Sequence, residues 1–326
     1  MLITFIRVGY EQVVPGQALE DDVLLAIEYS STPSIDDQRC LLVPLAPLAD
    51  CASREVWRGS RPVKRSTHGR LCYAEDGDHI AGCLTIAEER CSDGLAALTE
   101  RAYRDILRFQ RESNYQHIWR MWNFVSDINT GIGDTERYRQ FCLGRAQAFA
   151  AFSTDPLTSG FPAASAVGKR DSPRTLQVCW IASRHRASVV ENPRQVSAFD
   201  YPRQYGPASP SFSRATVSPE RLLLVSGTAS IVGHESKHQG DLAAQIDETF
   251  RNLDALASDA TDKRLIDALP FGRTTLVKAY LKDAGAASWV KDEIKRRLGP
   301  DGSPMILAAD ICRSELLIEI ELVHQG

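Results

Sequence analysis

Two glutamates stand within an otherwise apolar segment close to the end of the chain. Residues 316–322 read LLIEIEL, and the two-residue period of a strand places the isoleucines on one face and Glu319 and Glu321 on the other. Two interpretations are open: both carboxylates point into solvent, or one of them is covered by a neighbouring domain. Burial would raise the pKa of the covered carboxyl group, as a general acid requires.

Arginines in two other segments could hold an anion beside such an acid. We expect residues 201–256 and the last strand to form one pocket for a small dicarboxylate. A guanidinium binds a carboxylate through two parallel hydrogen bonds, and aromatic side chains commonly line ligand sites. Each arginine could equally lie on the surface. The candidate binding residues of these two segments are Arg145, Tyr201, Arg203, Tyr205, Phe212 and Arg214.

Small residues at the end of one strand are a further binding candidate. Ser226, Gly227, Thr228 and Ala229 close the run LLLVSGTA. Such residues let a ligand approach the backbone closely, although they also suit a tight exit from a strand.

Other chemistries have weaker support in the sequence. His234 and His238 are four residues apart but lie between glycines, so a metal site there is disfavoured. No dinucleotide-binding, phosphate-loop, zinc-protease or serine-hydrolase motif is present. Cys312 could act as a nucleophile, but no histidine is tied to it by pattern. We therefore expect neither a metal nor an organic cofactor.

Composition limits the class of protein. The chain has 326 residues, enough for two domains, and its net charge of −4 disfavours nucleic acid as a partner. No apolar run approaches the length that spans a membrane, and the first residues read as a strand rather than a signal peptide. Eight scattered cysteines without a CxxC pair suit a reduced, cytoplasmic protein.

The order of predicted elements occurs twice, about 150 residues apart. Each half contains a strand, an amphipathic helix, a strand ending before an aspartate, and a closing strand. Gly94 opens the first helix, and Asp241 is a plausible N-cap for the second. This pattern predicts an α+β fold with a duplicated unit, divided into residues 1–195 and 196–326 by a polar linker near 184–197. Two unrelated α+β domains are the alternative.

The second half resembles the RidA (YjgF) family over residues 205–323, through GPASPSFSRAT, LLVSGTASIVG, TTLVKAYLKD, Cys312 and IEIE. The longer motifs YRQFCLGRAQAF, YPRQYGPASPSFSRA and SGTASIVGHES resemble the chorismatases, enzymes that remove pyruvate from chorismate. The resemblance implies two tandem RidA-like, chorismate-mutase-like domains, with antiparallel sheets and helices packed on one face. It also implies a site in the C-terminal domain that is closed by the other half of the chain.

The resemblance assigns roles to individual residues. Glu319 corresponds to the family's acid, while Ala229 and Cys312 match positions that steer the product. Alanine with cysteine looks like the branch that forms 3-hydroxybenzoate together with 4-hydroxybenzoate. RidA deaminases carry an arginine where this chain has Asp310, which argues against the rival reading of an enamine or imine deaminase. A non-catalytic small-molecule-binding protein is the other rival, and either a monomer or a trimer is compatible with the sequence.

Overall fold

The N-terminal segment forms a small sheet of its own. The computed structural model describes residues 5–152, 160–267, 271–272, 274–299 and 303–325. The first sheet has the strand order β1-β4-β2-β3, in which β2 pairs with β3 in parallel and with β4 in antiparallel orientation. Its strands are β1 Arg7–Glu11, β2 Val23–Tyr29, β3 Cys40–Val43 and β4 Arg54–Arg58.

A six-stranded sheet with two helices follows. Its strand order is β5-β6-β7-β10-β8-β9, and helix α1 runs from Gly94 to Glu112, beginning where the sequence predicts. Helix α2, Arg137–Ala151, lies between β8 and β9 in the chain. The strands are β5 Lys64–His68, β6 Leu71–Glu75, β7 His79–Ala87, β8 His117–Ser126, β9 Ala163–Lys169 and β10 Thr175–Ser183.

A second six-stranded sheet has the order β11-β12-β13-β18-β16-β17. Helix α3, Leu242–Asp262, is capped by Asp241, whose side chain accepts a hydrogen bond from the backbone N–H of Ala244. Helix α4 is Ala287–Leu298. The strands are β11 Ser188–Val190, β12 Ala215–Val217, β13 Leu222–Thr228, β16 Thr275–Leu281, β17 Met305–Ala308 and β18 Ile318–Gln325, with a separate hairpin of β14 Ile231–Val232 and β15 Glu235–Ser236.

The two large sheets repeat one topology strand by strand, which confirms the predicted α+β duplication. The closing strands β10 and β18 each lie third from one edge, and in both sheets a helix separates the two strands at that edge. These edge pairs, β8–β9 and β16–β17, are parallel rather than antiparallel. Parallel neighbours need a crossover connection, and α2 and α4 lie within those connections.

Helices cover one face of each large sheet. Leu98, Ala102 and Ile106 of α1 pack on the first sheet, and Ile246 and Phe250 of α3 pack on the second. The opposite faces of both sheets share a core with the N-terminal sheet. That core includes Tyr29, Trp57, Trp122, Tyr280 and Val323. The face of β18 that carries both glutamates therefore points into the centre of the protein.

The boundary between the halves stays a prediction. The predicted linker contains β11, which pairs with β12 in the second sheet although it precedes residue 196. Leu316 lies before β18 and packs in a different cluster from Ile318 and Ile320, so the strand begins two residues later than predicted. Within the described ranges, no helix has both the length and the apolar character needed to cross a bilayer.

Candidate active site

A cavity of about 410 Å³ lies where the two halves of the chain meet. Helix α2 and strand β9 of the first half form one side of it, and β13 and the segment before β18 form the other. The predicted site residues among its lining are Arg145, Tyr201, Tyr205, Phe212, Arg214, Gly227, Ala229, Cys312 and Glu319.

Glu319 is the buried acid of this cavity. Its side chain is only 4% exposed, so the interpretation that both glutamates point into solvent is wrong. Oε1 has no hydrogen-bond partner among the described residues, and Oε2 lies 4.0 Å from the Sγ atom of Cys312. Burial, assisted by the charge of Glu321 and opposed by Arg120, raises the pKa of Glu319 to about 8. Glu319 therefore carries a proton at neutral pH.

The backbone of Gly227 makes room for this carboxyl group. A Cβ atom on residue 227 would lie 2.0 Å from Oε1 of Glu319. The register of β13 against β18 shifts between Val225 and Thr228, which places this close approach at an irregularity in the sheet. The glycine of the SGTA run therefore leaves room for the carboxyl group of Glu319, in addition to lining the cavity.

Two buried arginines face the cavity, and neither guanidinium group forms an ion pair with a described residue, although Glu191 lies near enough to Arg214 for their charges to interact. Arg145 is 3% exposed and stacks on Tyr103 and Phe149, with its Cζ atom 5.1 Å and 5.6 Å from the two ring centroids. Arg214 donates hydrogen bonds of 2.8 Å to the carbonyl of Val196 and to the hydroxyl of Tyr201. In both guanidinium groups the Nε atom is buried and lacks a partner among the described residues.

Arg313 is a third cation that the sequence reasoning missed. It stacks on Tyr205 with its Cζ atom 4.1 Å from the ring centroid, and it donates hydrogen bonds to the carbonyl of His234 and to Ser236. Its position directly after Cys312 was the available signal. In the part of the chain that the structure describes, none of these three arginines forms an ion pair. Because an uncompensated buried cation is costly, the arrangement suits an anionic ligand.

Three predicted binding residues lie away from the cavity. Arg203 is paired with Asp134 at the surface, where its side chain is 67% exposed, and this placement removes it from the cations available to the cavity. Ser226 is used internally: its hydroxyl accepts a hydrogen bond from the N–H of Ala164 and donates one to the carbonyl of Ser213. Thr228 donates to the carbonyl of Ser226.

The first half of the chain contributes lining residues that local patterns did not indicate. Strand β9 supplies Ala164, Ser165 and Ala166, and α2 supplies Tyr138 and Cys142. Most of them are small or aromatic residues, and their neighbours along the sequence form no pattern that indicates a binding site. Only the apposition of the two sheets brings them to the acid.

The thiol of Cys312 is poorly suited to nucleophilic attack. Burial, together with the neighbouring carboxyl group of Glu319, which ionises before the thiol does, raises the pKa of Cys312 far above its ordinary value. A thiol that stays protonated is a weak nucleophile. Asp310 does not line the cavity; its backbone bridges to Gly168, and its carboxylate lies 3.5 Å from Arg170. The position at which RidA deaminases carry an arginine therefore contributes no cation here.

A second cavity, of about 400 Å³, lies beside the C-terminal half of α1. Among the residues that the structure describes, its lining includes Arg111, His117 and Arg186 but no glutamate or aspartate. The described lining therefore offers no carboxyl group that could deliver a proton. The cavity that contains Glu319 is the candidate active site.

Comparisons with known proteins agree with this placement. Residues 55–182 match the family described as chorismatase FkbO/Hyg5-like, N-terminal. The chain is 31% identical to a 3-hydroxybenzoate synthase of Streptomyces hygroscopicus, over 98% of this chain and 96% of that protein. It is 35% identical to a chorismatase of Streptomyces rapamycinicus, over 82% and 80% of the two chains. A crystal structure of a chorismatase superposes with a TM-score of 0.89 at 28% identity and covers 99% of both chains. The chain therefore belongs to the chorismatase family.

Proposed function

We propose that this enzyme removes pyruvate from chorismate and forms 3-hydroxybenzoate. The observation that carries the proposal is a protonated, buried Glu319 in the same cavity as three arginines that form no ion pair with a described residue. Chorismate has two carboxylates and one acid-labile enol ether. The name chorismatase of one Streptomyces relative supports the substrate, and the name 3-hydroxybenzoate synthase of the other supports the product.

The arginines account for binding. Arg145 lies on the α2 side of the cavity, whereas Arg214 and Arg313 come from the second half of the chain. One carboxylate on the ring and one on the enolpyruvyl group need cations at two separate places, and guanidinium groups suit this because they bind carboxylates in a fixed, bidentate geometry. Tyr201 and Tyr205 hold Arg214 and Arg313 in place through a hydrogen bond and ring stacking.

Glu319 starts the chemistry by donating its proton to the methylene carbon of the enol ether. The resulting oxocarbenium ion weakens the bond between the ether oxygen and ring carbon 3, and pyruvate leaves with that oxygen as its ketone oxygen. The neighbouring hydroxyl oxygen on ring carbon 4 then adds to carbon 3, and its proton restores Glu319. The epoxide opens at carbon 4, and the ring becomes aromatic as the hydrogen on carbon 3 is lost and the oxygen on carbon 3 takes up a proton, which gives 3-hydroxybenzoate. Chorismate is the sum of hydroxybenzoate and pyruvate, so no net water is consumed. A placed acid accelerates such a step by about 10²–10⁴-fold, and orientation and exclusion of water supply the rest.

Cys312 and Ala229 control the fate of the ring. The thiol lies 4.0 Å from Oε2 of Glu319, and Ala229 lines the same cavity. We expect Cys312→Ala to leave space for a water molecule beside the ring and to divert product toward the dihydroxy-cyclohexadiene acid. Formation of 4-hydroxybenzoate alongside 3-hydroxybenzoate stays a prediction. Chromatography of the products from chorismate measures all three compounds.

The test of the proposed function is Glu319→Gln, which keeps the shape of the side chain and removes its acidic proton. We expect a folded protein that releases pyruvate at least about 100-fold more slowly. Glu235→Gln, in the exposed hairpin where Glu235 pairs with Lys237, is the matched control and should behave like the wild type. Turnover near the wild-type rate in Glu319→Gln would reject the assignment of the acid.

A further inference from the structure

A cluster of buried charges lies behind the acid: its charged residues are not part of the cavity lining, although Ser165, which hydrogen-bonds to Glu321 and Arg120, is. Glu321 follows Glu319 on the same face of β18. Its carboxylate accepts hydrogen bonds from Arg120 at 2.6 Å and from the indole of Trp122 at 2.9 Å, both on β8 of the other large sheet. Lys278, directly opposite Glu321 in the β16–β18 register, lies 2.6 Å from it.

The N-terminal sheet completes the cluster. The Nζ atom of Lys278 also pairs with Glu55 of β4 and donates a hydrogen bond of 2.8 Å to the hydroxyl of Tyr29 on β2. Glu55 in turn accepts a hydrogen bond of 2.8 Å from the indole of Trp57. Glu55 is 2% exposed and Lys278 is fully buried. Three sheets therefore meet at one ion cluster.

The charges of this cluster cancel. Arg120 and Lys278 are cations, and Glu55 and Glu321 are anions. Burial raises the pKa values of the nearby phenols of Tyr10, Tyr29 and Tyr280 and of the thiol of Cys179, so these groups are neutral and leave the balance unchanged.

The balance matters because Glu319 shares its surroundings with many cations. Arg145, Arg214 and Arg313 line the cavity in front of it, and Arg120 lies behind it. Nearby positive charge favours the ionised form of a carboxyl group. Glu321 and the desolvation of the carboxyl itself oppose this. The cavity lining also contains Glu315 and Glu136, the second of which pairs with the lining residue Arg139. One further uncompensated cation behind Glu319 would lower the pKa of its carboxyl group.

We propose that Glu55 is a positioning residue for the acid: by balancing Lys278, it keeps the cluster behind Glu319 neutral and so lets Glu319 hold its proton beside an arginine-lined cavity. This inference rests on the proposed role of Glu319. It assigns a function to the N-terminal sheet, which contributes no residue to the lining of the cavity. Glu55 touches neither the cavity nor Glu319 and acts through Lys278.

The size of the effect follows from the sheet geometry. Lys278 is the diagonal cross-strand neighbour of Glu319, because its direct partner is Glu321, and such neighbours are about 7–8 Å apart. Glu55 pairs with Lys278, so the charge that Glu55→Gln removes lies about one ion-pair length farther away, at roughly 10 Å from Glu319. At an effective dielectric constant of about 20, removing a charge at that distance shifts a pKa by roughly one unit. Glu55→Gln should therefore move the alkaline limb of the kcat profile to lower pH by about one unit.

The experiment compares the wild type, Glu55→Gln and the double variant Glu55→Gln/Lys278→Met. The single variant leaves the cluster with one excess positive charge, and the double variant restores neutrality through the remaining pair of Arg120 and Glu321. We expect the alkaline limb to move down in the single variant and to return in the double variant. A purely structural role would lower the rate equally at every pH, and this result, or an unmoved limb, would overturn the proposal.

A second readout does not need turnover. The infrared carbonyl band of a protonated buried carboxyl group, assigned by its loss in Glu319→Gln, reports the proton on Glu319 directly. Its titration midpoint should fall by about one pH unit in Glu55→Gln, and an unchanged midpoint would refute the inference even if Glu319 proved not to be the catalytic acid. If Glu55→Gln does not fold, Glu55→Met removes the same charge and is subject to the same two measurements.

Discussion

Replacing Gly227 with alanine tests the geometry of the acid with a single methyl group. The new Cβ atom would lie 2.0 Å from Oε1 of Glu319 and 2.6 Å from its carboxyl carbon, whereas ordinary contacts begin at 3.4 Å. The carboxyl oxygen must therefore move by about 1.4 Å. It can do so without unfolding the sheet, because the clash is with the end of a flexible side chain.

A displacement of that size should abolish most of the activity. Misplacing a catalytic group by about 1 Å can cost about 100-fold in rate, so we expect kcat for pyruvate release to fall by at least about 100-fold. The melting temperature should change by only a few degrees. The assay is pyruvate release at saturating chorismate, together with a thermal melt of the same preparation.

Gly9→Ala provides the matched control, because no atom lies within 4 Å of a Cβ built on residue 9. That variant should retain wild-type activity and stability. If Gly227→Ala turned over chorismate at the wild-type rate, the side chain of Glu319 would not need the position seen here. The claim that its fixed placement drives the reaction would then be wrong.

Further outcomes follow from the same structure. Glu319→Gln should be more stable than the wild type in alkali. The carboxyl group of Glu319 stays protonated up to about pH 8 in the folded protein, whereas in the unfolded chain it ionises near pH 4.5. The resulting loss of wild-type stability is therefore absent in acid, grows between these two pH values and reaches at most about 5 kcal/mol. Denaturant melts at pH 4 and pH 9 measure this, and equal differences at both would contradict it. Arg214→Met should raise KM for chorismate by about 10–100-fold, whereas Arg203→Met should leave KM unchanged in steady-state assays. Similar changes of KM in the two variants would mean that the cavity arginine does not bind the substrate more than the surface arginine does. Burial alone would lower the pKa of His79, but its bonds to Asp76 and Glu220 outweigh burial and raise the pKa to about 9. The wild type should therefore be more stable than His79→Gln by at most about 3 kcal/mol below pH 6.5, and this difference should disappear as pH rises through 9. A stability difference that grew with pH in denaturant titrations would contradict the raised pKa of His79.

Local patterns were enough to predict the repeated elements. The apolar stripe of α3 and its Asp241 cap depend on residues three or four positions apart, and strands β2 and β3 begin and end where their apolar runs do. The order of these elements, repeated in each half, predicted the duplication. Sequence likeness to the family singled out Glu319, which no local rule separates from Glu321.

Contacts between distant strands decided what the sequence left open. Glu319 and Glu321 lie on the same face, yet Glu321 is ion-paired because Arg120 and Lys278 happen to lie on the strands that face it, whereas Glu319 lies beside a cavity.

The arginines show the same limit. Arg203 and Arg313 are alike as residues, but one meets Asp134 at the surface and the other stacks on Tyr205 in the cavity. Hydrophobic periodicity is a property of neighbours along the chain, so the sequence by itself determined the helices, the strands and their repetition. The charge state of a carboxyl group depends on the ions near it and on the residues that exclude water from it, and only the packing of the three sheets brings those together.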